Sequence, residues 1–189
     1  MIFDSFISII KLNKTMKKYL LFAASLLIFG TSQLKAQDDK SKRPSPPASV
    51  SETIKSGAVV SIDYSSPSLK GRTIGTDVEP KKDQVWRMGA NEATVLTVSK
   101  DVTIDGKKLA AGKYGVWGEW NDDNSFSVFI NSTSKIWGTE YNSIKDKDVL
   151  VFKAKVETGS STEHLTYKID KSGKVSLLWG TMVISFNIK

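Results

Sequence analysis

From Val60 onward, apolar side chains recur at every second position: Val60, Ile62 and Tyr64 alternate with Ser61, Asp63 and Ser65. A spacing of two puts alternate side chains on one face of a pleated strand. The same alternation runs through residues 95–98, 102–104, 114–120, 126–130, 149–156, 165–169, 175–179 and 183–188. It predicts roughly nine strands. Asp105-Gly106, Ala111-Gly112, the run from Asn121 to Asn124 and Ser172-Gly173 fall between them, and these residue types tolerate the backbone of tight turns. No stretch after Ala36 sustains the three-and-four spacing of a helix. The expected fold is all-β, an antiparallel β-sandwich of roughly nine strands, with a partly closed β-barrel as the alternative. Residues 132–148 form the longest unpatterned connection, and such connections are often functional or mobile.

The N-terminal region follows a different pattern. Lys17 and Lys18 precede the apolar run 20–30, which leads to Leu34-Lys35-Ala36, the order of a secretory signal peptide. The apolar run is about half of the ~20 residues a spanning helix needs, so cleavage before Gln37 is expected rather than stable membrane insertion. Residues 1–15 carry their own apolar cluster and make a poor n-region, which marks Met16 as the expected start and 1–15 as a misassigned extension. The expected location is periplasmic or secreted. Lipid attachment is not expected, because the chain has no cysteine. Residues 37–48 contain three prolines and no large apolar side chain, and are expected to be a flexible tether to a single domain over 49–189.

Removing the leader also changes the charge. The whole chain carries 27 basic and 20 acidic residues; 27 − 5 and 20 − 1 remain after Ala36, a net charge of +3. That is too little, and too dispersed, for a nucleic-acid surface. With no cysteine there are no disulfide staples, and stability is left to a hydrophobic core that ~150 residues can supply.

Chemistry concentrates in two irregular stretches, Pro67 to Arg72 and Val85 to Thr94. Lys70, Arg72, Arg87, Asn91 and Glu92 could converge on an anion or a sugar: arginine offers a planar fork to a carboxylate or phosphate, and Trp86 could stack on a ring. The structural alternative pairs Arg87 with Glu92 as a clamp that ties the loop to the sheet, and this clamp is the expectation. Glu92 as the acid or base of a glycoside hydrolase needs a second carboxylate at a set separation. No catalytic residue, metal ligand or cofactor is assigned. His164, the only histidine, sits on the polar phase of its strand and reads as a surface residue. Trp117, Trp120 and Trp179 read as packing; Trp86 and Trp137 are the better candidates to stack on a glycan. Asn121 to Asn124 lacks the spacing of a calcium loop. Asn131-Ser-Thr133 fits a glycosylation acceptor by pattern alone.

Pro67-Ser-Leu-Lys-Gly-Arg72 and Val85-Trp-Arg-Met-Gly-Ala-Asn-Glu-Ala-Thr94, with Asp63-Tyr-Ser, the stretches 102–109 and 111–114, and Leu178-Trp179, resemble the hallmark segments of an exported bacterial family, domain of unknown function 2911. The resemblance covers Ser45 to the C-terminus. Two places depart from it: residues 77–84 replace a shorter glycine-containing link, and Gly180 follows Trp179 where an acidic residue is common. The resemblance implies export and a β-rich domain, and no established catalysis. The expected function is a non-enzymatic envelope module that binds a glycan, a small anion or an envelope protein. The alternatives are a hydrolase using Glu92 and a purely structural envelope protein.

Overall fold

The computed structural model describes residues 39–189. The expected extension 1–15, the expected leader 16–36 and the start of the expected tether lie outside the described residues. Ten strands follow: β1 Pro47–Thr53, β2 Val59–Ser65, β3 Val85–Trp86, β4 Thr94–Val98, β5 Val102–Ile104, β6 Lys107–Leu109, β7 Gly112–Trp120, β8 Phe126–Asn131, β9 Asp148–Ile169 and β10 Lys174–Asn187. Besides three short 3-10 turns, there is no helix among the described residues.

Seven strands form one antiparallel sheet in the order β1-β2-β4-β7-β8-β9-β10, with β3 also paired to β7, while β5 and β6 make a separate two-stranded sheet. The large sheet is strongly curled into a half-barrel, so the core lies inside its own concave face rather than between two stacked sheets. The expected sandwich is corrected to this arrangement. Its origin is strand length: β9 runs for 22 residues and β10 for 14, where the sequence pattern suggested two short strands for each. Residues 157–164 of β9 have no buried side chain, so alternation disappears there although pairing continues. In β10 the register shifts on both sides of Gly180, which sits at φ 54°. Irregularities of this kind bend and coil a strand, and long coiled strands let one sheet wrap around its core.

The stretch after β2 closes part of the curl. The Leu165 N–H donates to the Pro67 carbonyl and the Leu69 N–H to the Glu163 carbonyl, both at 2.9 Å, and the Ser66 hydroxyl donates to the Leu165 carbonyl at 2.8 Å. Inside, Val60, Leu96, Phe126, Val128, Ile130, Leu165, Leu177, Trp179 and Ile184 are almost wholly buried. On the outer face Trp117, Ala93, Tyr141 and Ile144 form a second, smaller core. The unpatterned stretch 132–147 supplies its cover: the Trp117 indole N–H donates to the Gly138 carbonyl at 2.8 Å.

β1 begins at Pro47, inside the stretch expected to be a tether. Its side chains alternate between exposed and half-buried and none is buried, so it leaves no hydrophobic signature. Proline at the start of an edge strand costs no ladder hydrogen bond. The chain is engaged even earlier, since residues Lys40–Lys42 form a 3-10 turn.

Candidate functional site

Trp86 pairs with Gly118 of β7 and Thr94 pairs with Val116. β3 and β4 therefore lie end to end along one edge of β7, and residues 87–93 are an excursion between them. That excursion is almost fully specified by internal bonds. The Trp86 indole N–H donates to the Gly89 carbonyl at 3.0 Å. Met88, fully buried, sits at φ 51°, a left-handed conformation that L side chains avoid. Its carbonyl receives the Tyr167 phenol at 2.9 Å and the Thr94 hydroxyl at 3.2 Å. Gly89 leaves no room for a side chain, because a Cβ there would stand 2.9 Å from Thr94 Oγ1. Asn91, at φ 58°, donates from Nδ2 to the Ser45 carbonyl at 2.9 Å.

Glu92 is bound as well, but not to Arg87. Its Oε1 accepts from Lys40 Nζ at 2.7 Å and from Arg43 at 3.0 Å. Those bonds, with Lys40 the larger influence, hold the Glu92 carboxyl down at about 2. The expected Arg87–Glu92 clamp is thus replaced by a clamp between Glu92 and the segment before β1. Lys40 and Arg43 were hidden from sequence reasoning because they lie in a stretch with no periodic signal. A glycosidase acid needs a raised pKa, and Glu92 is shifted the other way.

Arg87 is the exception within the excursion. Its aliphatic stem lies on Gly138, where a Cβ would collide with it. Its Nε is buried and has no hydrogen-bond partner. Burial lowers its pKa from the ordinary value, and the nearby Glu79 carboxylate acts in the opposite direction. The guanidinium lines a cleft of about 260 Å³ shared with Arg72, Lys81, Glu79, Asp77 and Ser45.

Of the residues singled out from sequence, the cleft brings together Arg72, Trp86 and Arg87. Arg72 is partly committed, donating from Nε to the Leu69 carbonyl at 2.9 Å and from a terminal nitrogen to the Ser68 carbonyl at 2.7 Å. Trp86 is only 3% exposed; it forms cleft wall and cannot offer a ring face for stacking. Lys70, Asn91 and Glu92 lie outside the lining. Lys70 is exposed and turns the loop at φ 49°. Glu79, Lys81 and Ser45 were not anticipated, although the first two fall in the 77–84 link already marked as unusual. That link is anchored where the Trp179 indole N–H donates to the Glu79 carbonyl at 2.7 Å.

Other sequence candidates resolve simply. Asn131 is fully buried; its Nδ2 donates to the Ile144 carbonyl and to Asp148, both at 2.8 Å, and its Oδ1 accepts from the Thr133 N–H. Its side chain is a structural tie and is inaccessible as a glycosylation acceptor. Trp137 is 47% exposed and His164 is exposed. A larger depression of about 430 Å³ lies between the β5–β6 hairpin and β9–β10. Two of its lysines, Lys153 and Lys155, are already matched to Asp123 and Glu157. Among the described residues there is no group of three or more His, Cys, Asp or Glu side chains placed to hold a metal, and no helix is long and apolar enough to cross a membrane.

No curated protein and no solved structure matched the chain. The family described as protein of unknown function (DUF2911) matches residues 45–188, the span that contains the whole half-barrel, the excursion and the Arg87 cleft, and the chain belongs to that family.

Proposed function

We propose that this domain is a non-catalytic binding module of the cell envelope whose cleft takes a small anion through Arg87, flanked by Arg72 and Lys81. The observation that carries the reading is the buried, unpartnered Arg87 Nε. Buried polar groups in native proteins are nearly always satisfied, and one left open calls for a reason. Its neighbours Trp86, Asn91, Glu92 and Thr94 all have internal partners, so the excursion presents one uncommitted cation to the cleft. Nε itself is sealed off, so a ligand oxygen would meet the guanidinium from the cleft side and make its charge-assisted hydrogen bond there. Export belongs to the same proposal, resting on the basic, apolar and small-residue order from Lys17 to Ala36. The intact mass of the exported protein should then correspond to a chain beginning at Gln37.

Titration calorimetry with glucuronate and with inorganic phosphate tests the binding reading. Arg87→Met keeps the stem that covers Gly138 and removes the charge. Binding by the wild type should weaken about ten- to a hundredfold in R87M, the worth of a hydrogen bond to a charged group. Unchanged affinity in R87M would overturn the assignment of the cleft.

A further inference from the structure

The cleft is not uniformly basic. Glu79 and Asp77 line it beside Arg72, Lys81 and Arg87, so any anion that reaches the guanidinium also meets carboxylates. Asp77 is occupied with its own loop, accepting the Thr73 N–H through Oδ2 at 2.8 Å. Glu79 is fixed differently. Its carbonyl holds the Trp179 indole, and its Oε2 accepts the Lys81 N–H at 2.8 Å. That one bond engages Oε2 and leaves Oε1 as an acceptor. The same carboxylate is close enough to favour the charge of Arg87.

Resting on the anion-binding reading, we infer that the cleft selects a small organic acid with a hydrogen-bond donor next to its carboxylate over inorganic anions, and that Glu79 sets this selectivity. The carboxylate meets Arg87, and the neighbouring donor meets Glu79 Oε1. A phosphate dianion brings more negative charge and fewer donors to the same place, so Glu79 repels it, which is selectivity by exclusion. The apolar part of the wall is small, coming from the half-buried Pro67 and Val78, while Trp86 and Trp179 stand almost wholly buried behind it. Size agrees with the inference, since about 260 Å³ lies below the ~300–1,000 Å³ of drug-sized sites and suits a single small acid. Two sources share this chemistry, an acid sugar with a hydroxyl donor and an amino acid with an ammonium donor.

The experiment titrates wild type, Glu79→Gln and Arg87→Met with glucuronate, L-alanine and inorganic phosphate. Gln retains an oxygen for the Lys81 N–H, so the loop keeps its anchor. Wild type should bind glucuronate or alanine at least about tenfold more tightly than phosphate, with the better of the two identifying the donor, and E79Q should reduce that ratio by about tenfold. R87M should weaken all binding. Phosphate binding as tight as the organic acids in wild type, or an unchanged ratio in E79Q, overturns the inference and leaves anion binding standing. If none of the three binds wild type, the binding reading falls and the inference with it.

Discussion

Arg87 and Glu92 sit five positions apart in one irregular segment, yet their side chains answer to different parts of the molecule. Glu92 faces Lys40 and Arg43, and Arg87 faces the cleft. Charges that do not share partners should act independently. In a double-mutant cycle of Arg87→Met and Glu92→Gln, read by urea midpoints, the coupling should be near zero, and a coupling above about 1 kcal/mol would restore the direct clamp. Glu92→Gln alone should cost under about 1 kcal/mol, because its carboxylate is partly exposed and screened. The pH dependence follows from the sign of its shift. A carboxyl depressed from 4.5 to about 2 contributes stability above the unfolded value, and that contribution disappears as pH falls through the folded value. A carbon-detected titration of Glu92 should therefore show a midpoint far below 4.5, with the Lys40 and Arg43 signals moving in the same window. A midpoint at the ordinary value would show that the segment before β1 is not held by this carboxylate.

At the scale of elements, the excursion between β3 and β4 depends on a strand distant in sequence. Met88 holds its left-handed backbone because its carbonyl is bonded to Tyr167 of β9 and to Thr94 of β4. Tyr167 also packs edge-on against Tyr64 of β2, with ring centroids 4.8 Å apart. Burial keeps the Tyr167 phenol well above its ordinary pKa, so it remains a donor through the neutral and alkaline range. Tyr167→Phe keeps the ring and removes that bond. It should lower stability by about 1–2 kcal/mol in urea denaturation, the cost of leaving a buried carbonyl with one partner fewer. An unchanged midpoint would mean that Thr94 alone suffices to hold the corner. The same logic explains why the hallmark segment looked chemical in the sequence: Trp, Asn, Glu and Thr are binding residue types, and here most of them bind the protein itself.

For the whole molecule, one curled sheet accounts for two cores. The concave face encloses the main one, and the cover 132–147 creates the second around Trp117. Far-ultraviolet circular dichroism of residues 37–189 should be dominated by strand, and a helix content near the globular average of about one third would contradict the half-barrel. Folding should be slow relative to helical domains of equal size, since neighbours such as Tyr64 and Tyr167 lie 103 positions apart and distant pairing must precede its reward.

Local alternation determined the existence of most strands, the turns between them and the all-β class, because a period of two is written wherever one face is buried and the other is wet. It determined His164 as a surface residue and Asn121–Asn124 as a turn, the latter closed by the Asn124 N–H to the Asn121 carbonyl at 3.0 Å. The tertiary structure alone decided what has no local period. β1 has no buried side chain to announce it, the middle of β9 is paired but exposed on both faces, and the curl arises from coiling and register shifts that depend on partner strands. The partners of Glu92 and Arg87 were decided in the same way, because an ion pair or a cleft is a statement about distance in space. Lys40 reaches Glu92, and Trp179 reaches the Glu79 carbonyl, only once the sheet has curled.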